Sequence, residues 1–396
     1  MLLDEFGVDV NFPDNEGNTF LHHLCEGGEK EMVEFLVNKY DSVNLNVQNA
    51  SHKRPLHNAA EDGHKDLVGF LIEKGASMIC FDQFDFTPFH YAVVNSNFDV
   101  CDLMVQKYGM DVNIGTLHGE LESSNLTPLM ACTQEANVDA VKWLIRNGAN
   151  VNIKTAEGFT ALMISAEQED VGVMQLLLEA GADVTLENQN GHFAVHVAAC
   201  SKPGPLRCLL EKSKLVDVNV ADHFMSTPFH FACAFGFLEN VKLLYEHGAK
   251  MNVQNDDGTY PLYLAITYEH VEVVKFLLSK GCQVDVLDAN QNTPLHIAAG
   301  IGNAATVDAL LDAGVNIFVE NDEGFTADQI ADMEGHRRIS SKLRRITTMR
   351  FRQTVTKLAE KEIPTAEIVQ KEEKPKKERK KESKKSEKKS KEKKGE

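Results

Sequence analysis

The sequence is short of the residues on which most active-site chemistry depends. One tryptophan stands among 396 residues, and aromatics make up only 7%. No glycine-rich phosphate loop, nucleophile elbow or metal-ligand cluster occurs, so no catalytic, cofactor-binding or metal-binding residue is assigned and no enzymatic activity is expected. The eight cysteines (Cys25, Cys80, Cys101, Cys132, Cys200, Cys208, Cys233 and Cys282) show no paired spacing of the kind that holds a metal. No apolar run is long enough to span a bilayer and no secretory signal is visible, so an intracellular, reducing setting in cytoplasm or nucleus is expected. Positive charge is scarce over most of the chain. Residues 1–334 carry 18 basic against 49 acidic residues, a net of −31, whereas residues 335–396 carry 23 basic against 10 acidic, a net of +13. So strong an asymmetry bears on partners rather than on fold.

What is present is a repeat. Asn292-Thr293-Pro294-Leu295-His296-Ile297-Ala298-Ala299 returns as Thr227-Pro228-Phe229-His230, Thr127-Pro128-Leu129-Met130, Thr87-Pro88-Phe89-His90 and Arg54-Pro55-Leu56-His57. The apolar third residue marks the register: Leu21, Leu56, Phe89, Leu129, Leu162, Val195, Phe229, Leu262 and Leu295, in steps of 35, 33, 40, 33, 33, 34, 33 and 33 residues. A threonine followed by proline predicts a helix start, since the hydroxyl caps free N–H groups and proline is pre-shaped for the first turn. A second helix follows with apolar residues three and four apart, such as Val138, Val141, Leu144 and Ile145. Gly75, Gly148, Gly181, Gly248, Gly281 and Gly314 then stand where a left-handed residue stops a helix. One such unit buries too little apolar surface alone, so stacking is required. With this period and its Thr-Pro-Leu-His core, the chain resembles the ankyrin-repeat family. The resemblance implies an all-α solenoid of about ten units, in which hairpin fingers join the units and, with the inner helices, line a concave face.

On this pattern, residues 1–345 form the repeat domain. A half unit at 1–11 precedes repeats near 14–46, 49–80, 82–113, 122–152, 155–185, 188–219, 222–252, 255–285 and 288–317, with a C-terminal cap at 321–345. The half unit implies an irregular cap or a longer natural form. The extra seven residues around 114–122 predict a lengthened finger, and Pro205 is expected to open the second helix of the sixth repeat. Residues 346–370 read as a linker, and the Lys/Glu/Ser tract 371–396 as a disordered basic tail.

Recurrent and variable positions have different implications. His22, His57, His90, His196, His230 and His296 recur once per unit, which predicts a repeated structural bond between neighbours rather than a metal or a catalytic base. Fingertips are mostly small or polar, as in Asn15-Glu16 and Asp256-Asp257, but Phe84 and Phe224 interrupt that rule. The inner helix of the seventh unit adds Phe231 and Phe235, and Tyr268 is the match of Phe235 in the next unit. Phe224, Phe235 and Tyr268, rimmed by Asp256, Asp257 and Glu269, therefore make a candidate partner-binding cluster, with Phe84 as a further ring. The alternative is that the rings fold into the core. Ser340 and Thr347, each preceded by paired arginines, resemble sites for basophilic kinases. Lys376, Lys377, Arg379, Lys380 and Lys381 resemble a short nuclear-import signal.

Together these features point to a monomeric interaction scaffold that binds a basic or basic-apolar protein segment. Two rivals remain: a tail that binds nucleic acid or an acidic cytoskeletal surface, and a regulatory subunit autoinhibited by its own tail.

Overall fold

The computed structural model describes residues 9–116 and 125–353. The described residues divide into two compact units, one ending at Gln283 and one beginning at Val284.

Within the first unit, short inner helices alternate with longer outer ones. The inner helices are Phe20–Glu26, Pro55–Glu61, Pro88–Val94, Pro128–Gln134, Ala161–Glu167, Ala194–Ala199, Pro228–Phe235 and Pro261–Thr267. The outer helices include Lys65–Glu73, Val138–Arg146, Val171–Glu179, Leu238–Glu246 and Val271–Ser279. Each inner helix packs on the inner helix of the preceding repeat. The second unit repeats the scheme with Pro294–Ile301, Ala304–Asp312 and Ala327–Met333. Among the described residues the fingers contribute only isolated antiparallel bridges, Lys154 to Thr160, Glu187 to Phe193 and Glu320 to Thr326.

The local causes are those the sequence predicts. Proline occupies the first turn of six inner helices, at Pro55, Pro88, Pro128, Pro228, Pro261 and Pro294. The hydroxyls of Thr87, Thr127, Thr160 and Thr293 accept the N–H three residues on, closing one otherwise open donor each. All six expected stop glycines are left-handed, with φ between +76° and +101°. The nine apolar marker residues are buried, each stabilising its repeat by roughly 2 kcal/mol of removed apolar surface.

Side-chain amides tie neighbouring repeats together much as a peptide group would. Asn46, Asn152 and Asn219 each donate to the carbonyl of a stop glycine one repeat on, at 3.2, 3.4 and 3.1 Å. Each also accepts the N–H two residues further, at 2.9, 2.8 and 2.8 Å.

Two expectations change in detail, and a third is filled in. The sixth outer helix is Pro203–Lys212, so Pro203 rather than Pro205 opens it. Pro205 is tolerated because the first turn has no intrahelical N–H bond to lose. The final helix starts at 337 and continues through 353, beyond the expected end of the cap at 345. At the long step, Thr116 donates to the carbonyl of Leu126 at 3.2 Å and accepts from Asn125 at 2.8 Å. The extra residues thus leave from a paired finger base, while 117–124 lie outside the described residues, as do 1–8 and everything from 354 onward.

Candidate functional site

The recurrent histidines come first, because their geometry decides their role. In His57 and His90 the ring Nδ1 accepts a backbone N–H three residues earlier, from Arg54 at 2.9 Å and Thr87 at 3.2 Å. The lone pair of Nδ1 is thereby occupied, so the proton sits on Nε2 and donates across the repeat boundary. The acceptors are the carbonyls of Phe86 at 3.1 Å and Leu126 at 3.3 Å. His22, His196 and His230 repeat the arrangement towards Lys53, Ser226 and Val253. His296 does so towards Phe325 in the second compact unit. Burial holds His57, His90 and His196 down at about 4. These rings are neutral structural clips.

The variable rings are different. Phe224 is 60% exposed, Phe235 56% and Tyr268 58%, so none of the three is core. Phe231, by contrast, is half-buried, edge-on to His192 and His196 with ring centroids 5.2 and 5.5 Å away. Phe235 ends the helix Pro228–Phe235, and Tyr268 caps Pro261–Thr267, which packs beside it. Phe224 sits on a finger that Asp222 builds: one carboxylate oxygen accepts the N–H groups of Phe224 and Ser226 at 2.9 and 2.7 Å. The other carboxylate oxygen lies 3.2 Å from His192 Nε2.

Neighbouring fingers are joined by backbone. The N–H of Asp256 donates to the carbonyl of Phe224 at 2.9 Å, which sets the Asp256-Asp257 tip directly beside the Phe224 finger. Asp256, Asp257 and Glu269 are exposed. Ring contacts in this stretch pair Tyr245 with Phe276 and Tyr260 with Tyr263, leaving Phe224, Phe235 and Tyr268 without a ring partner among the described residues. Phe84 is equally exposed, at 58%, but belongs to the finger at Asp82, four repeats earlier, and is not part of this group.

Sequence reasoning passed over Met225. It is 51% exposed and left-handed, with φ +57°, in the fingertip slot that glycine fills at Gly17, Gly158, Gly191, Gly258 and Gly324. The same left-handed slot holds His52, Asp85, Asn125 and Gln291 in other fingers, so what sets Met225 apart is an apolar side chain there. A left-handed methionine costs roughly 1–2 kcal/mol.

The two phosphorylation candidates are placed less favourably than their arginines suggested. Ser340 is only 2% exposed, with its hydroxyl unpaired in the interior. It holds the helical register that Val68, Val141 and Val274 hold in other repeats, and modification there requires the helix to open first. Thr347 donates to the carbonyl of Leu343 at 2.9 Å, and the nearby Arg344 is engaged by Asp328 and Asp332 at 3.1 and 2.9 Å. The import-like lysines, Lys376 to Lys381, lie outside the described residues.

Among the described residues no group of three or more His, Cys, Asp or Glu side chains could hold a metal ion, and no helix is long and apolar enough to cross a membrane. Burial pushes the Cys25 and Cys132 thiols up to about 12, so neither is a thiolate near neutrality.

The fold is that of a helical-repeat protein. The family model "Ankyrin repeats (3 copies)" matches residues 1–82, 41–116, 114–188, 172–255, 195–288 and 247–321. The chain therefore belongs to the ankyrin-repeat family, whose domains generally mediate protein–protein interaction and are typically non-catalytic. Among curated proteins it is similar to oxysterol-binding protein homolog 2 of Saccharomyces cerevisiae, 26% identical over 160 residues. That match spans 39% of this chain and only 12% of the yeast protein. Among solved structures, the ankyrin repeat domain of Bcl-3, titled a unique member of the IkappaB protein family, is 27% identical with a TM-score of 0.49, covering 55% of this chain and 98% of that one. The human ASB11 ankyrin repeat domain is 30% identical with a TM-score of 0.47, covering 52% and 91%.

Proposed function

We propose that the chain is a non-enzymatic scaffold or adaptor that holds a basic or basic-apolar segment of a partner protein on the finger and inner-helix face of its first compact unit. The observation that carries this reading is the exposure of Phe224, Phe235 and Tyr268 at more than half of each ring. Exposed rings at sites where other repeats carry small or polar residues are a cost that a partner removes on binding. A desolvated aromatic centre is where binding energy concentrates, and a charged rim steers approach. The rim here is acidic, which fits lysine or arginine in the partner. Met225 adds apolar surface to the same fingertip. The chain would act as a monomer in cytoplasm or nucleus. Affinity capture with the whole chain and with a chain lacking 371–396 separates this reading from its rivals. A protein partner retained by both supports it. Binding of polyanions only, lost with the basic segment, would favour the tail-driven reading, and tighter capture after the deletion would favour autoinhibition.

A further inference from the structure

The second compact unit contains a groove that the aromatic cluster does not explain. It measures about 480 Å³ and lies between the fingers and the inner-helix ends, within the size range of ligand-holding clefts. Its floor is apolar: Ile297 and Ile301 from Pro294–Ile301 and Ile330 from Ala327–Met333, all half-buried. Its rim carries three carboxylates, Asp322 and Glu323 on the finger and Glu334 at the C-terminal end of Ala327–Met333. The two fingers that frame it are locked together. Asp322 donates its N–H to the carbonyl of Asn290 at 3.2 Å, and Asn321 donates its side-chain amide to Asn292 at 3.0 Å.

Some acids of this unit are neutralised within the chain and the rim acids are not. Asp308, Asp328 and Asp332 are each paired with Lys342 or Arg344. Asp322, Glu323 and Glu334 have no cationic partner among the described residues. The three rim acids are therefore open to a cation from outside the chain. The helix that ends at Glu334 adds the negative end of its dipole to the same rim.

We infer that this groove is a second docking site, one that seats an arginine and an adjoining apolar residue of a partner protein. The guanidinium is the cation of choice because it is weakly hydrated, tolerates an apolar floor and offers several donors to carboxylates on two different elements. The apolar neighbour is required by the three isoleucines, which a purely charged segment would leave in contact with water. The segment 371–396 is rich in lysine but contains no branched aliphatic or aromatic residue, so it is the poorer occupant. The inference is independent of the aromatic cluster, which lies in the other compact unit.

The test uses the full chain and a ten-residue peptide of alternating arginine and leucine with one benzophenone cross-linker, mapped by mass spectrometry. Labels are expected within 290–334. They should fall at least ten-fold in a chain carrying Asp322→Asn and Glu334→Gln, with thermal unfolding unchanged. They should vanish when the arginines of the peptide are replaced by glutamate, and fall sharply when its leucines are replaced by serine. A synthetic peptide of residues 371–396 in equal amount should not displace them. Full labelling of the Asp322→Asn, Glu334→Gln chain, or displacement by the 371–396 peptide, overturns the assignment. Labels that appear at 224–268 report on the aromatic cluster separately, so either site can fail without the other.

Discussion

A histidine repeated at one position in six units could bind metal, move a proton or hold a carbonyl, and its two nitrogens choose among these. Here Nδ1 of His90 takes the N–H of Thr87 and Nε2 gives its proton to the carbonyl of Leu126, so neither nitrogen is left for metal or substrate. The same bonds keep the ring neutral. The unfolded chain protonates such a ring near 6.5, whereas the folded chain protonates His57, His90 and His196 only at about 4. More protons are bound by the unfolded state across that window, so stability is full above pH 6.5 and is lost as pH falls towards 4. At pH 5 the loss should be about 1–2 kcal/mol for each of these three rings. His23 works in the opposite sense, since Asp14 at 2.9 Å raises it, but that pair is exposed and contributes little. The urea midpoint should therefore be clearly lower at pH 5 than at pH 7.5. An equal or higher midpoint at pH 5 would show that the rings are not clipped in their neutral form.

At the scale of the element, helices are joined by contacts that depend on glycine at particular points. Gly236 ends Pro228–Phe235 at φ +76°, and the ring of His270 lies over it, so that an added Cβ would sit 2.3 Å from His270 Nδ1. That ring donates to the carbonyl of Ala234 at 2.8 Å, which fixes the start of the next outer helix. Gly248 has a similar φ, +88°, but open space around it. Gly248→Ala should thus cost only the left-handed penalty, about 1–2 kcal/mol. Gly236→Ala should cost that and the His270 contact as well, about 1–3 kcal/mol more. Equal losses in chemical denaturation would mean that His270 moves aside freely. The glycines that stop outer helices were legible in the sequence because they recur at one offset. The Gly236–His270 contact was not, since His270 aligns with Asn97 and Asn137, which reach the same kind of carbonyl with a different side chain. Period and cap chemistry are local and readable. Which proline opens the sixth outer helix, and whether Phe235 or Phe231 faces solvent, depend on the neighbouring repeat. Met225 shows the limit: its slot was visible, but its left-handed backbone was not.

At the scale of the whole molecule, stability in a repeat protein resides in nearest-neighbour interfaces. Deletion of 371–396, a segment without branched aliphatic or aromatic side chains, should leave the thermal midpoint within about 2 °C, given that about 1 kcal/mol moves a large domain by roughly 2–4 °C. A drop of many degrees in calorimetry would show that this segment docks on the repeats. The most direct test of the binding surface is the affinity of the captured partner for Phe235→Ala, Tyr268→Ala and Asp257→Asn chains, with folding checked by circular dichroism. Both ring variants should fold normally, since the rings are exposed, and each should weaken binding by about 2 kcal/mol or more. Asp257→Asn should mainly slow association and reduce its dependence on salt. Ring variants that fold like the parent and bind with unchanged affinity would place the partner elsewhere on the chain.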